Sequence, residues 1–444
     1  MTMQMREAKS GQITPEMKFV AEQEKVTAEF IRKGVAKGQI VILKNNKRNI
    51  KPLGIGKGLF IKVNSNIGSS QKNCDVAKEI EKAKISMKYG ADTIMDLSSG
   101  PTESDIISIR QKILDSIDVP LGTVPIYQAA MRAIERDGGI IKMTEDDMFN
   151  VVEEQAREGV DFFTIHTGVT LDLAKHIAKN PRFMGIVSRG GTLMAVWSLH
   201  HNKENPYFKN YDYLLEMAQD YDFNLSLGDG FRPGCIFDST DYPQIQELLT
   251  ISKLVKRAHK KNVQVICEGP GHIPAHQIEE NIKMQKSVTN GAPFYVLGPL
   301  VTDVAPGYDH IVAAIGGTMA GLAGADYLCY VTPAEHLGLP NVEEVKQGVI
   351  ASKIAAHSID IVNRGADALD WDLKMDTARK DLDWDTQMKI GIDPEKAKRI
   401  RARDGPIERK EPCTMCGRLC AIKLLKDSMA EQKKKQNKQK KELN

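Results

Sequence analysis

The chain is short of several features that would settle its class early. No run reaches the roughly 20 apolar residues that a membrane-spanning helix requires. The best candidate, Ile311 to Ala325, is rich in Gly and Ala and reads as a buried helix. The first residues, Met1 to Lys9, are polar and hold no apolar signal region, so export is not expected. Neither sign of charge dominates: 61 basic and 58 acidic residues leave a formal charge of +3, which singles out no nucleic acid and no membrane surface as partner. Much of that surplus lies beyond Lys423, where Lys433, Lys434, Lys435, Lys438, Lys440 and Lys441 alternate with Gln and Asn. Such a composition is expected of a solvated, disordered tail. Seven cysteines without an export signal argue against a disulfide framework, so clustered cysteines read as ligands in a reducing, cytoplasmic setting. A dinucleotide fingerprint is missing as well, since Asn64-Ser65-Asn66-Ile67-Gly68 is not a glycine-rich phosphate turn.

What is there is a repeated βα pattern. Strand-like runs fall at Leu59–Asn66, Thr93–Leu97, Leu121–Tyr127, Phe162–His166, Phe183–Ser188, Asn224–Gly228, Val263–Glu268, Phe294–Gly298 and Tyr327–Thr332. Between them lie helical segments such as Asp75–Tyr89, Glu103–Ile117, Glu145–Glu158, Tyr211–Tyr221 and Tyr242–Lys260, with Val342–Val362 after the last. Thr144 and Asp147 are placed to form an N-terminal capping box. This alternation means parallel strands with helical crossovers. An open sheet collects function at one switch point, whereas here polar residues end nearly every strand, which favours an α/β fold of the closed (βα)8 type. Nine runs compete for eight places, so one must lie outside the barrel. The expected divisions are a lead-in over 1–57, a barrel over 58–365, a helical region with a cysteine cluster over 366–425 and a Lys-rich tail over 426–444. Trp371 and Trp384 are expected to pack the C-terminal region onto the body.

Three groups carry chemistry. Cys413-Thr-Met-Cys416-Gly-Arg-Leu-Cys420 puts three thiols within eight residues, with Gly417 to permit a tight turn. A structural zinc site wants four ligands, and neither a histidine after His357 nor a fourth cysteine after Cys420 supplies one. A 4Fe–4S cluster tolerates an open corner, where S-adenosylmethionine can chelate the free iron and be cleaved to a 5′-deoxyadenosyl radical. Spacing alone leaves cluster and zinc both open. The second group is Ser188-Arg189-Gly190-Gly191 with Asp229-Gly230-Phe231-Arg232-Pro233-Gly234. On two consecutive strands these would offer backbone N–H groups and guanidinium forks to a phosphate. In the third, Glu268-Gly-Pro-Gly-His272 and Pro333-Ala-Glu335-His336 could converge on a metal or hold two separate, hydrogen-bonded histidines. Cys74, Cys235, Cys267 and Cys329 are scattered and read as ordinary small apolar residues.

Taken together, Lys62-Val-Asn-Ser-Asn66-Ile-Gly, Gly122-Thr-Val-Pro-Ile-Tyr127-Gln, Gly185-Ile-Val-Ser-Arg-Gly-Gly191, Ser226-Leu-Gly-Asp-Gly-Phe-Arg-Pro-Gly234, Glu268-Gly-Pro-Gly-His272 and Cys329-Tyr-Val-Thr-Pro-Ala-Glu-His336 resemble the thiamine pyrimidine synthase (phosphomethylpyrimidine synthase) family over roughly residues 1–425. The resemblance implies a radical S-adenosylmethionine lyase that rearranges 5-aminoimidazole ribonucleotide into hydroxymethylpyrimidine phosphate. Asn66, Met95, Tyr127, His166, Ser188, Arg189, Gly190, Asp229, Gly230, Phe231, Arg232, Glu268 and Tyr295 would contact the nucleotide, with Glu268 also catalytic. His272 and His336 would hold zinc, and Cys413, Cys416 and Cys420 the cluster. A flavodoxin- or ferredoxin-type electron donor and a homodimer are implied as partners. A paralogous group makes 5-hydroxybenzimidazole, a cobamide precursor, from the same nucleotide. The Phe at 231, where Leu is usual, keeps that alternative open. A lid carrying the cysteines, hinged near Arg403–Pro412, would close over the barrel.

Overall fold

Apolar runs such as Phe162–Ile165 and Phe294–Leu297 are buried along nearly their whole length, as strands covered on both faces must be. In the computed structural model, which describes residues 3–403, 405 and 410–442, they build an α/β barrel. The strands are β1 (Ile40–Leu43), β2 (Leu53–Gly56), β3 (Lys62–Ile67), β4 (Thr93–Asp96), β5 (Leu121–Thr123), β6 (Phe162–Ile165), β7 (Asn224–Leu227), β8 (Val265–Gly269), β9 (Phe294–Leu297) and β10 (Tyr327–Cys329). Among the described residues β3 to β10 close into an eight-stranded parallel barrel in chain order, sealed by β10 against β3. The register sets Asn66 beside Met95 and Glu268 beside Tyr295, so polar side chains gather at the C-terminal ends. Thr144 and Asp147 form the expected capping box on the helix Glu145–Glu158.

The eight barrel strands account for every strand-like run except Phe183–Ser188. That segment is no strand: the N–H groups of Phe183 and Met184 both donate to the carboxylate of Asp238 at 2.8 Å, which takes the place of a ladder. Gly185 then turns through positive φ, and the chain enters the helix Arg189–His201. The two Arg-bearing loops therefore do not follow consecutive strands; one opens this helix in the β6–β7 crossover and the other ends β7.

The lead-in region supports the base of the barrel. Its helices Gln4–Lys9, Pro15–Gln23 and Ala28–Lys37 share a core with β1 that includes Met5, Met17, Ile31 and Ile40. The Gln264 side chain accepts from Ile42 N–H at 2.9 Å, and Asn224 donates to the Ile42 carbonyl at 3.0 Å. Asp161 accepts from Asn45 N–H at 2.7 Å and pairs with Arg48 at 2.8 Å. These bonds plug the end of the barrel opposite the polar one.

The described residues fall into two compact units, within Met1–Arg364 and within Gly365–Asn444. No described helix is long and apolar enough to cross a membrane. The helix Asp309–Ala323, expected to be buried, is so on one face only. Gly316, Gly317, Ala320 and Gly321 are inside, while Ile311, Ile315, Met319 and Leu322, spaced at three or four residues, face outward. In the second unit, the Trp371 indole donates to the Ile390 carbonyl and the Trp384 indole to the Glu411 carbonyl, so both bonds close within that unit. The Lys-rich run lies on the helix Ala421–Glu442, most of whose side chains through residue 439 are exposed. Lys, Gln, Glu and Ala are all good helix formers.

Candidate active site

The polar strand ends surround a cavity at the barrel mouth. Asn66, Met95, Tyr127, Thr164, His166, Ser188, Asp229, Arg232, Glu268, Tyr295 and Cys329 line it. Arg189 stands on an adjoining outer lobe that shares Asn66 and also includes Glu335 and His336. Gly190, Gly230 and Phe231 line neither; Phe231 is wholly buried.

Glu268 ends β8, where the hydroxyls of Thr164 on β6 and Ser226 on β7 donate to its Oε1 at 2.6 and 3.1 Å. Burial raises its carboxyl above the usual range, against the pull of these bonds and of Arg232. Asp229 follows β7, with Arg232 Nη1 donating to its Oδ1 at 3.2 Å. Burial pushes Asp229 up to about 8, the Arg232 charge notwithstanding, and Glu268 adds to the rise. Its Oδ2 is buried with no hydrogen-bond partner, which suits a polar ligand.

Ser188 caps the helix Arg189–His201 by accepting from Gly191 N–H at 3.1 Å, and its hydroxyl is bonded to His166 Nε2 at 3.0 Å. A Cβ on Gly190 would stand 2.3 Å from the His166 ring, and one on Gly191 2.5 Å from the Gly230 carbonyl oxygen. The glycines thus serve close approach of helix, imidazole and β7 loop. Burial, helped by Arg232, depresses His166 to about 3, so the imidazole is neutral. The Arg189 guanidinium lies over the Tyr127 ring, 5.0 Å from its centroid. Three of the amides expected to cradle a phosphate have partners within the protein: Gly191 N–H donates to Ser188, and the N–H groups of Gly230 and Phe231 donate to Glu247 at 2.9 and 2.7 Å.

The floor holds residues that motif reading missed. Asn64 donates to Asn66 Oδ1 and to the Tyr295 hydroxyl, both at 2.7 Å, and accepts from Thr93 at the same distance. Tyr295 stacks on Tyr327 with centroids 4.2 Å apart. Cys329, set aside as an ordinary apolar residue, lines the cavity and accepts from Asn66 Nδ2 at 3.0 Å. Its thiol is pushed up to about 12 by burial. Polar residues at every second position of strands buried on both faces, as in Asn64 and Asn66, were the available signal.

The structure also brings His272 and His336 together, with ring centroids 5.1 Å apart. Each Nδ1 faces a carboxylate, Asp303 at 2.7 Å and Asp309 at 3.5 Å. Cys413, Cys416 and Cys420 sit on a turn in which Gly417, at positive φ, donates its N–H to the Cys413 carbonyl at 3.0 Å. Among the described residues no three His, Cys, Asp or Glu side chains converge as a metal site. Half of the expected hinge at Arg403–Pro412, residues 404 and 406–409, lies outside the described residues.

A parallel eight-stranded barrel with acids, arginines and a neutral histidine converging at its C-terminal mouth defines a TIM-type barrel with the layout of an enzyme. Residues 3–427 match the Radical SAM ThiC family, and the chain belongs to that family. It is 54% identical over 423 residues to phosphomethylpyrimidine synthase of Desulforamulus reducens, covering 95% of this chain and 97% of that one. It is 52% identical to phosphomethylpyrimidine synthase 2 of Methanothermobacter thermautotrophicus, covering 96% and 99%. Phosphomethylpyrimidine synthase of Methanocaldococcus jannaschii is 51% identical, with the same coverage.

Proposed function

We propose that this protein is a cytoplasmic radical lyase that rearranges 5-aminoimidazole ribonucleotide into 4-amino-5-hydroxymethyl-2-methylpyrimidine phosphate for thiamine synthesis. The observation that carries the reading is the mouth cavity, where Arg232, Asp229, Glu268, His166, Tyr127 and Asn66 converge in a chain so similar to named phosphomethylpyrimidine synthases. Arg189 and Arg232 hold the phosphate by bidentate, charge-assisted bonds. Asp229, kept neutral by burial, offers a proton donor beside that guanidinium, while Asn66 and Tyr295 meet the base or ribose. Glu268 holds or moves a proton at its Oε2, since Oε1 is engaged by Thr164 and Ser226. Neutral His166 accepts or donates without adding charge.

Cys413, Cys416 and Cys420 hold a 4Fe–4S cluster on the Gly417 turn; three thiols in so short a span fit three irons. When bound, the cluster and S-adenosylmethionine supply the radical initiator, with the electron drawn from a flavodoxin- or ferredoxin-type donor. His272 and His336 hold a zinc ion, each imidazole oriented through its Nδ1 by a carboxylate. The outward apolar row on the helix Asp309–Ala323 is consistent with a homodimer.

The test is anaerobic reconstitution with iron and sulfide, followed by reductant, ribonucleotide and S-adenosylmethionine. Brown protein that forms 5′-deoxyadenosine, and Cys416→Ala protein that forms none, are expected. Colourless protein without 5′-deoxyadenosine would replace the radical enzyme by a zinc-bearing barrel that only binds phosphorylated ligands, whereas full turnover by Cys416→Ala would remove the cysteine cluster from the mechanism.

A further inference from the structure

The side chain of Glu247 is 2% exposed, in the middle of the helix Tyr242–Lys260 and outside every motif recognised in the sequence. Its Oε1 accepts from Gly230 N–H at 2.9 Å and its Oε2 from Phe231 N–H at 2.7 Å. No ion pair within 4 Å reaches it among the described residues; the two N–H groups are its hydrogen-bond partners, and the Arg182 charge adds a longer-range attraction. Two glycines make the approach feasible. A Cβ on Gly168, after β6, would stand 2.7 Å from Glu247 Cγ, and one on Gly230, after β7, 3.1 Å from its Oε1.

The residues flanking this clamp are Asp229 and Arg232, which both line the cavity and bond to each other. Gly168 lies two residues beyond His166, whose carbonyl, with that of Val169, is held by Asn205 Nδ2 at 2.8 and 3.0 Å. One helix-borne carboxyl therefore braces the strand-end loops that present three cavity residues. A carboxyl of purely structural use would gain as much from an arginine partner. Here both oxygens go instead to consecutive amides of the loop that bears the ligand-facing charges.

We propose that Glu247 is a positioning residue for ribonucleotide binding, fixing the Asp229–Arg232 loop through the amides of Gly230 and Phe231. This rests on the reading of the mouth as a ribonucleotide site. The test uses the full-length protein and its Glu247→Gln variant, an isostere that keeps one acceptor oxygen and turns an NH2 toward the other amide. Hydrogen exchange at Gly230 and Phe231 should quicken while the remaining barrel strands stay protected. Affinity for 5-aminoimidazole ribonucleotide, by calorimetry, should fall about tenfold, as expected when one buried N–H loses its acceptor. In an Arg232→Ala background the same change should cost clearly less affinity than in wild type, because Arg232 is one of the residues Glu247 positions; a general loss of packing would add in full. Should the amide fail to fold, Glu247→Asp, which withdraws the carboxyl by one methylene, serves in its place. Unchanged exchange at the two amides, or fully additive losses, would overturn the proposal. Wild-type protein that does not bind the ribonucleotide would overturn the functional reading instead, and the exchange result would then decide the loop role alone.

Discussion

Ser188 Oγ stands 3.0 Å from His166 Nε2, joining the first turn of one crossover helix to the end of β6. The same oxygen caps that helix through Gly191 N–H. Ser188→Ala removes both bonds at once. The expected loss is about 1–3 kcal/mol of stability, from the cap and from a buried imidazole nitrogen left without its partner. Thermal unfolding measures it, and ribonucleotide affinity should fall in parallel because His166 lines the cavity. An unaltered affinity would mean the imidazole is held by packing alone.

Asp229 gives the site a pH signature. Unfolded, an aspartate titrates at about 3.9; folded, burial pushes this one up to about 8. Between those values the folded protein keeps a proton that the unfolded chain has released. The stability Asp229 contributes is therefore full below the unfolded value and is lost as pH rises through the folded one. Asp229→Asn removes the titration, so its melting temperature relative to wild type should rise as pH is raised from about 5 to about 8.5. A difference that stays constant over that range would place the folded group near its ordinary value.

Gly191 sits where helix and β7 loop touch backbone to backbone. A Cβ there lies 2.5 Å from the Gly230 carbonyl oxygen, and a main chain cannot swing aside as a side-chain tip can. Gly191→Ala should cost about 1–3 kcal/mol by overpacking and weaken ribonucleotide binding more than Ala at Gly139, where the nearest atom is Ile141 Cγ1 at 4.0 Å. Paired melting curves and titrations of the two variants compare them directly.

Asp303 holds His272 Nδ1 at 2.7 Å and is itself held by Ile236 N–H at 2.9 Å. Asp303→Asn should lower divalent-metal affinity about 10- to 100-fold, the usual effect of removing a carboxylate behind a histidine ligand. Competition with a chelator, followed by zinc, reads this without turnover. Equal affinities would show that the histidine pair does not bind the metal.

The fold was largely legible because a parallel strand buried on both faces leaves a dense apolar run. Phe183–Ser188 misled for the same reason: β-branched residues record local preference, whereas Asp238, more than 50 residues away, decides what the backbone of Phe183 bonds. At the site, residues inside motifs such as Arg232 and Glu268 were readable. Glu247 and Asp303 were not, since each is an ordinary polar residue until folding sets it against Gly230 or His272; Asn64, although inside a motif, gains its role only against Tyr295. Glycine spacing also does not reveal that Glu247 takes up two of the loop amides, those of Gly230 and Phe231.

The product distinguishes thiamine synthesis from cobamide synthesis most directly. Reconstituted protein should be given 5-aminoimidazole ribonucleotide, S-adenosylmethionine and reductant without oxygen, and the small molecules resolved by mass spectrometry. Hydroxymethylpyrimidine phosphate, formed together with 5′-deoxyadenosine, is the expected result. Hydroxybenzimidazole in its place would contradict the assignment and move the same barrel to cobamide synthesis.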